Sequence, residues 1–269
     1  MSTSRSAEIR DRGVMLSAIV PAFNEEETIG ELLHQLISKG GVSEVIVVDD
    51  GSIDATVEVV DGIAAIDSRI RLIRSAGNQG KGAAVRRGLC EVSQSFVVIQ
   101  DADLEYDPGD LPRLMATAIE ARHQVCFGSR YLAMPPLMTP RVRRSVMDRG
   151  VRGINLVVRL LYGRTLTDEA TCYKLLPTEL LRSLDLKCSR FEFCPEVVAK
   201  LCRAGIEICE VPIGYSPRSR ADGKKLSITD GLQAVATLWQ YRHWAPTEEV
   251  LEWVRDQETK TLPCLSESG

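Results

Sequence analysis

Two aspartates one residue apart, Asp101 and Asp103, stand in the stretch Gln100-Asp101-Ala102-Asp103-Leu104-Glu105, directly after an apolar run. At the end of a strand both carboxylates can point toward one spot. Hard oxygen ligands of this kind suit a divalent cation that keeps waters and draws its other ligands from substrate phosphates. A plainer use is equally open: Asp103 starting a turn ahead of Pro108, with Asp101 capping locally. Comparable acids recur upstream. Val20-Pro21-Ala22-Phe23-Asn24-Glu25-Glu26-Glu27 follows a first apolar run and Asp49-Asp50-Gly51-Ser52 a second. Glu26 and Glu27 suit the positive start of a helix. Asp49 and Asp50 are less well explained that way, and carboxylates there can accept hydrogen bonds from a base N–H or ribose hydroxyls.

Two further stretches carry chemistry of the opposite sign. Gly77-Asn78-Gln79-Gly80-Lys81-Gly82 opens a helix, where glycines let backbone N–H groups approach an anion and Lys81 adds charge. It lacks the Ser or Thr of a Walker loop, and Val85 breaks the G-x-G-x-x-G spacing, which disfavours a nicotinamide oxidoreductase. Pro217-Arg218-Ser219-Arg220-Ala221-Asp222-Gly223-Lys224-Lys225 has no apolar anchor. It fits either a surface hairpin or a lid whose arginine forks close over a diphosphate.

The elements that must position these groups follow from periodicity. Leu16–Val20, Val45–Val48, Ile70–Ile73 and Phe96–Ile99 read as buried strands. Helices are expected over Ile29–Ile37, stopped by Gly40-Gly41, then after Asp54 with Val57, Val60, Ile63 and Ala64 inward, and over about 82–92 and 111–122. This βαβα order demands parallel strands with right-handed crossovers, hence a mostly parallel α/β sheet flanked by helices. Ligands bind such sheets at the carboxyl ends of the strands, where all the acids above fall.

Farther along, strands are expected at Val125–Phe127, near Tyr173–Leu176 and at Ile206–Val211, with helices at about 195–204 and 228–242. A long helix, about 141–162, is strongly basic through Arg141, Arg143, Arg144, Arg149, Arg152 and Arg159. It fits a solvated face or docking against an anionic surface or ligand. The expected organisation is a polar tail (1–14), one domain (15–243) and a C-terminal appendage (244–269). Trp239, Trp244 and Trp253 can cover a core edge, a partner or lipid, and a core edge is expected first.

Composition bounds the rest. The 269 residues carry a net charge of −4, so no global basic field for nucleic acid exists. No run approaches the ~18 apolar residues of a spanning helix, and the polar N-terminus lacks a secretory signal. The eight cysteines form no C-x-x-C and read as reduced thiols of a cytoplasmic protein, not a zinc site. Membrane contact is expected to be peripheral.

In order, the stretches VPAFNEEETI, VIVVDDGSIDAT, NQGKGAAVRRGL, QDADLEYDP, FGSRY, LTDEATCYK, FEFCPEVVAK and EVPIGYSPRSRADGKK resemble a family-2 glycosyltransferase with the GT-A fold. They cover about residues 16 to 242 and are most similar to the branch of dolichol-phosphate mannose and polyprenyl-phosphate sugar synthases. The resemblance implies a metal-dependent, inverting transfer from a nucleotide-diphosphate sugar to a polyprenyl phosphate. It places the nucleotide against Pro21, Ala22, Glu25 and Asp50. Lys81 and Asp101 belong to the same nucleotide site. Mg2+ or Mn2+ falls on Asp101, Asp103 and Glu105, where relatives often carry Gln at the last position. Arg130 corresponds to an arginine near the reacting phosphates, Arg218 or Arg220 to the loop arginine closing over them, and Arg141, Arg143 and Arg144 join Arg130 toward the acceptor. Asp168, Glu192 and Glu196 fall in matched blocks without assigned roles.

A lipid monophosphate is largely ionised at neutral pH (second pKa about 6) and needs positioning cations but no general base. Two other readings stay open: a soluble hydroxyl acceptor, which would need a base such as Asp168 or Glu192, and a nucleotide-sugar sensor without turnover. Donor base, sugar and oligomeric state are not set by the sequence.

Overall fold

A computed structural model describes residues 15–121, 123–132, 146–218 and 228–261. Arg141, Arg143, Arg144 and Arg220, and the tail over 1–14, lie outside them. The first half is the expected alternation: β1 (Leu16–Ala22), α1 (Ile29–Lys39), β2 (Glu44–Asp49), α2 (Thr56–Ala64), β3 (Ile70–Arg74), α3 (Lys81–Glu91), β4 (Phe96–Ile99) and α4 (Leu111–Glu120). The second half adds β5 (Cys126–Ser129), α5 (Val146–Tyr162), β6 (Lys174–Pro177), α6 (Thr178–Ser183), α7 (Phe193–Arg203), β7 (Cys209–Pro212), α8 (Ile228–Gln240) and α9 (Glu248–Thr261). Local chemistry explains the boundaries. Past α1, Gly41 takes left-handed backbone at φ +67°. Before α2, Asp54 accepts the Thr56 N–H (3.0 Å) and hydroxyl (2.6 Å) one residue ahead of the formal cap, Ala55.

The strands form one sheet in the order β3-β2-β1-β4-β6-β5-β7. Alternate residues feed two cores. Ile19, Ile46, Val48, Val97 and Ile99 meet α3, α5, α7 and α8 on one face. Ala18, Val20, Val45, Val47 and Val98 meet α1, α2 and α4 on the other.

β6 runs antiparallel to both β4 and β5. It therefore keeps β5 in the direction of β1, β2, β3 and β4, so the carboxyl ends of all five lie on one edge. Because β6 points the other way, the chain entering it, Asp168–Tyr173, arrives at that same edge.

Two helices escape the periodicity, α6 and α9. The second lies within the expected appendage, yet its Val250 is fully buried in the core that holds Leu238 and Tyr241, with Trp244 and Trp253 packed beside it. Trp239 instead stands exposed. No helix among the described residues is long and apolar enough to cross a membrane.

Candidate active site

The carboxyl edge of the sheet gathers Pro21, Ala22, Glu25, Asp50, Asp101, Asp103, Glu105 and Arg130, with Lys81 beside them. β1 and β2 end in register, Ala22 against Asp49. Their turns are laced together: the Glu25 N–H donates to Thr56 Oγ1 (2.8 Å) and the Ile53 N–H to Asn24 Oδ1 (2.9 Å). Asp49 and Asp50 are both engaged with backbone. Asp49 accepts the N–H groups of Gly51 and Ser52, and Asp50 accepts those of Gln79 (2.9 Å) and Gly80 (2.7 Å). The carboxylate expected against a nucleotide thus holds the turn that presents Lys81.

That turn corrects the reading of the glycines. Gly80 sits at φ +97°, and a Cβ there would lie 2.6 Å from the Ser189 carbonyl oxygen. A Cβ on Gly82 would lie 2.5 Å from that of Cys188. Ser189 O also accepts the Ala83 N–H of the first turn of α3 (2.9 Å). The glycines admit the 188–190 loop, and the anion-facing charge is left to the Lys81 side chain. Gly80→Ala is expected to cost about 2 kcal/mol or more in a denaturant titration. Gly62→Ala, into open space on α2, should gain up to ~1 kcal/mol.

Glu196 and Lys200 anchor the same loop. Glu196, fully buried, accepts the N–H groups of Lys187 (2.8 Å) and Cys188 (2.7 Å). Lys200 pairs with it at 2.7 Å and donates to the carbonyls of Leu184 and Asp185. Residues on α7 therefore brace the start of α3 through the loop between them.

Lys81 Nζ lies 2.5 Å from Asp101 Oδ1. Burial alone would lower the ammonium pKa, but the Asp101 charge outweighs it and the group is held firmly protonated. Asp103 is pushed up to about 6, by burial first and then by the Asp101 charge. One Asp103 oxygen accepts the Glu105 N–H (3.1 Å). Two crowded hard-oxygen acids that share the single Lys81 ammonium, with Asp103 still pushed up, fit a divalent cation. Among the described residues no three acids, cysteines or histidines form a metal-holding cluster. A cation at Asp101 and Asp103 would complete its shell from phosphate and water. Glu105, expected as a third ligand, instead accepts the Tyr215 hydroxyl (2.9 Å) and the Arg218 N–H (2.8 Å). Arg218 reaches across to Glu25 at 3.0 Å. The segment leading into the basic loop is thus tied to both the first turn and the acid pair.

Arg130, at the end of β5, meets Asp168 in a two-pronged pair: Nε to Oδ2 and Nη2 to Oδ1, both 2.7 Å, with the backbone N–H adding a third bond at 3.0 Å. Asp168 is fully buried. The rings of Tyr215, Tyr131 and Tyr106 stand 5.1, 5.8 and 6.0 Å from the guanidinium. The antiparallel β6 is what delivers Asp168 here. No local signal marks Tyr106 and Tyr215, which meet from distant parts of the chain.

Glu169, next in line, is also buried, and its Oε1 has no hydrogen-bond partner. Burial pushes its carboxyl up to about 7, with Lys174 pulling the other way and Asp168 adding to the rise. An unfolded glutamate titrates lower, so the fold favours the protonated form and loses stability as pH rises from about 4.5 to 7. Glu169→Gln is expected to raise the stability by on the order of 1–3 kcal/mol at about pH 8 and to change it far less near pH 4.5. Denaturation midpoints at the two pH values check this.

A mostly parallel sheet with an acid pair at the end of its central strand, met by lysine and arginine, defines the GT-A class of glycosyltransferase. The model of glycosyl transferase family 2 matches residues 17–183, and the chain belongs to that family. It is 29% identical to the glycosyltransferase AglD of Haloferax volcanii over 88% of this chain, and spans 39% of that protein. It is likewise 29% identical to the undecaprenyl-phosphate mannosyltransferase of Micrococcus luteus, over 77% of this chain and 85% of that one. Among solved structures, glucosyl-3-phosphoglycerate synthase of Mycobacterium tuberculosis, crystallised with Mn2+, UDP and phosphoglyceric acid, superposes with a TM-score of 0.66 at 22% identity. That match covers 92% of this chain and 84% of the synthase, and establishes the fold.

Proposed function

We propose that the enzyme moves a sugar, with inversion, from a nucleotide-diphosphate sugar to a polyprenyl phosphate. The observation that carries the acceptor class is the state of Asp168. A hydroxyl acceptor needs a base, and both Asp168 oxygens are taken by Arg130 in a buried pair. What the pair presents toward the edge is a cation, suited to an acceptor that is already anionic. The undecaprenyl-phosphate mannosyltransferase of M. luteus supports the same class.

In this reading the nucleotide lies along Pro21, Ala22 and Glu25, on turns that Asp50 keeps in shape. Lys81 brings positive charge to the diphosphate and holds Asp101 in place. Mg2+ or Mn2+ on Asp101 and Asp103 would supply further stabilisation of charge on the departing diphosphate. Crystals of the M. tuberculosis synthase hold Mn2+ or Mg2+ together with UDP, which supports that cofactor class. Arg218 closes from the loop side; Arg220 is assigned to the donor phosphates and Arg141, Arg143 and Arg144 to the acceptor phosphate on the sequence alone. Arg130 orients the acceptor phosphate. One of its oxygens attacks the anomeric carbon from the face opposite the leaving group, and the diphosphate departs with the electron pair. No proton moves.

One observation favours a second reading, a soluble hydroxyl acceptor. Glu169 titrates near neutrality beside the Asp168–Arg130 pair, as a general base would. The M. tuberculosis synthase was crystallised with the soluble phosphoglyceric acid. Incubation with Mn2+ and a panel of labelled nucleotide sugars, against polyprenyl phosphate and phosphoglycerate in parallel, decides between them. Lipid-extractable label supports the first reading; label confined to the water-soluble acceptor replaces it with the second.

A further inference from the structure

We propose that the outward faces of α5 and α8 form a docking surface for an anionic lipid bilayer. Its purpose rests on the polyprenyl phosphate reading; its observations do not. On the inner side of α5, Val151, Ile154 and Val158 enter the core, as do Ala234 and Leu238 of α8. The two helices pack side by side, and the Tyr162 hydroxyl donates to the Leu238 carbonyl at 2.5 Å. At 100° per residue, each helix carries a second apolar stripe opposite its buried one. On α5 it is Leu156 and Leu160, 54% and 74% exposed. On α8 it is Leu232, Val235 and Trp239, 69%, 36% and 56% exposed. A single exposed leucine needs no explanation, but large apolar side chains aligned on adjoining helices mark an interaction surface.

Charge selects the partner. The chain as a whole is acidic, yet every charged residue from 149 to 162 is an arginine: Arg149, Arg152 and Arg159, all exposed. Arg242 stacks on Trp239 at 4.0 Å. Across a two-fold axis these arginines would face one another, which opposes pairing with a second copy. Against anionic headgroups they are attracted, while leucine and tryptophan suit the boundary between headgroups and acyl chains. The inner side of α5 also leads to the site. Asn155 donates to the Thr167 carbonyl (2.7 Å) and accepts the Glu169 N–H (3.0 Å), so it grips the chain on either side of Asp168. The lipid-facing helix is therefore the one that supports the Arg130 pair.

Sedimentation of the full chain with vesicles tests this, using phosphatidylcholine alone or with roughly one-third phosphatidylglycerol. The expected result is binding to the anionic vesicles, weakened by salt. Leu160→Glu with Trp239→Glu, and separately Arg152→Glu with Arg159→Glu, should weaken it at least about tenfold with melting curves unchanged. Equal binding to both vesicles overturns the proposal, as does binding that the substitutions leave intact. So does a dimer in lipid-free buffer that the same substitutions dissolve. Turnover on a short-chain, water-soluble polyprenyl phosphate separates the two claims. Transfer without vesicle binding removes the docking surface and keeps the acceptor; vesicle binding without transfer keeps the surface and removes the acceptor.

Discussion

Asp103→Asn is expected to lower sugar transfer about a thousandfold while leaving the protein folded. The substitution keeps the shape of the side chain, and its amide oxygen can still accept the Glu105 N–H. What it removes is one of two negative charges crowded at the end of β4. In the protein alone that charge is unfavourable, since burial and Asp101 hold the Asp103 carboxyl near 6. The melting temperature of the variant should therefore match or exceed that of the parent, a loss of function joined to a gain in stability. Initial rates over a range of Mn2+ concentrations, with melting curves on the same samples, check both halves. A loss under tenfold with the cation requirement unchanged would show that the acid pair does not carry the donor chemistry.

Arg130→Lys comes second, with a fall of about a hundredfold in kcat/KM for the acceptor. Lysine keeps the positive charge but has no planar fork. It cannot satisfy both oxygens of buried Asp168 and still face an acceptor phosphate. The donor side lies on other strands, so the KM for nucleotide sugar should move little. Some stability is lost as well, because weakening a buried ion pair leaves Asp168 short of partners. Assays well below the melting temperature keep the two effects apart. Equal losses in donor and acceptor parameters would place Arg130 on the leaving diphosphate instead.

Much of this edge is legible from residue order alone. Three apolar runs of strand length that lead into acids put Glu25, Asp50, Asp101 and Asp103 at the carboxyl ends of parallel strands. What escapes is whatever depends on strand direction and on segments meeting late in the chain. The Tyr173–Leu176 run looks like any buried strand, and periodicity cannot say that it runs antiparallel. Yet that reversal brings Asp168 to Arg130. The glycines around Lys81 fit a phosphate approach and a close backbone contact equally well, until Ser189 is seen lying over Gly80. Asp50 has the chemistry of a nucleotide ligand, and the sequence does not announce that its two oxygens also accept the N–H groups of Gln79 and Gly80. The apolar positions of α9 are too few to announce a helix, and the core it covers is built by distant residues.

Titration calorimetry of a nucleoside diphosphate, with and without Mn2+, is the most direct test of the donor site. Tight binding is expected only with the cation, weakened at least about tenfold by Asp101→Asn or Asp103→Asn. Equal affinity in EDTA, or affinity that both substitutions leave intact, would contradict a metal-linked diphosphate at the end of β4.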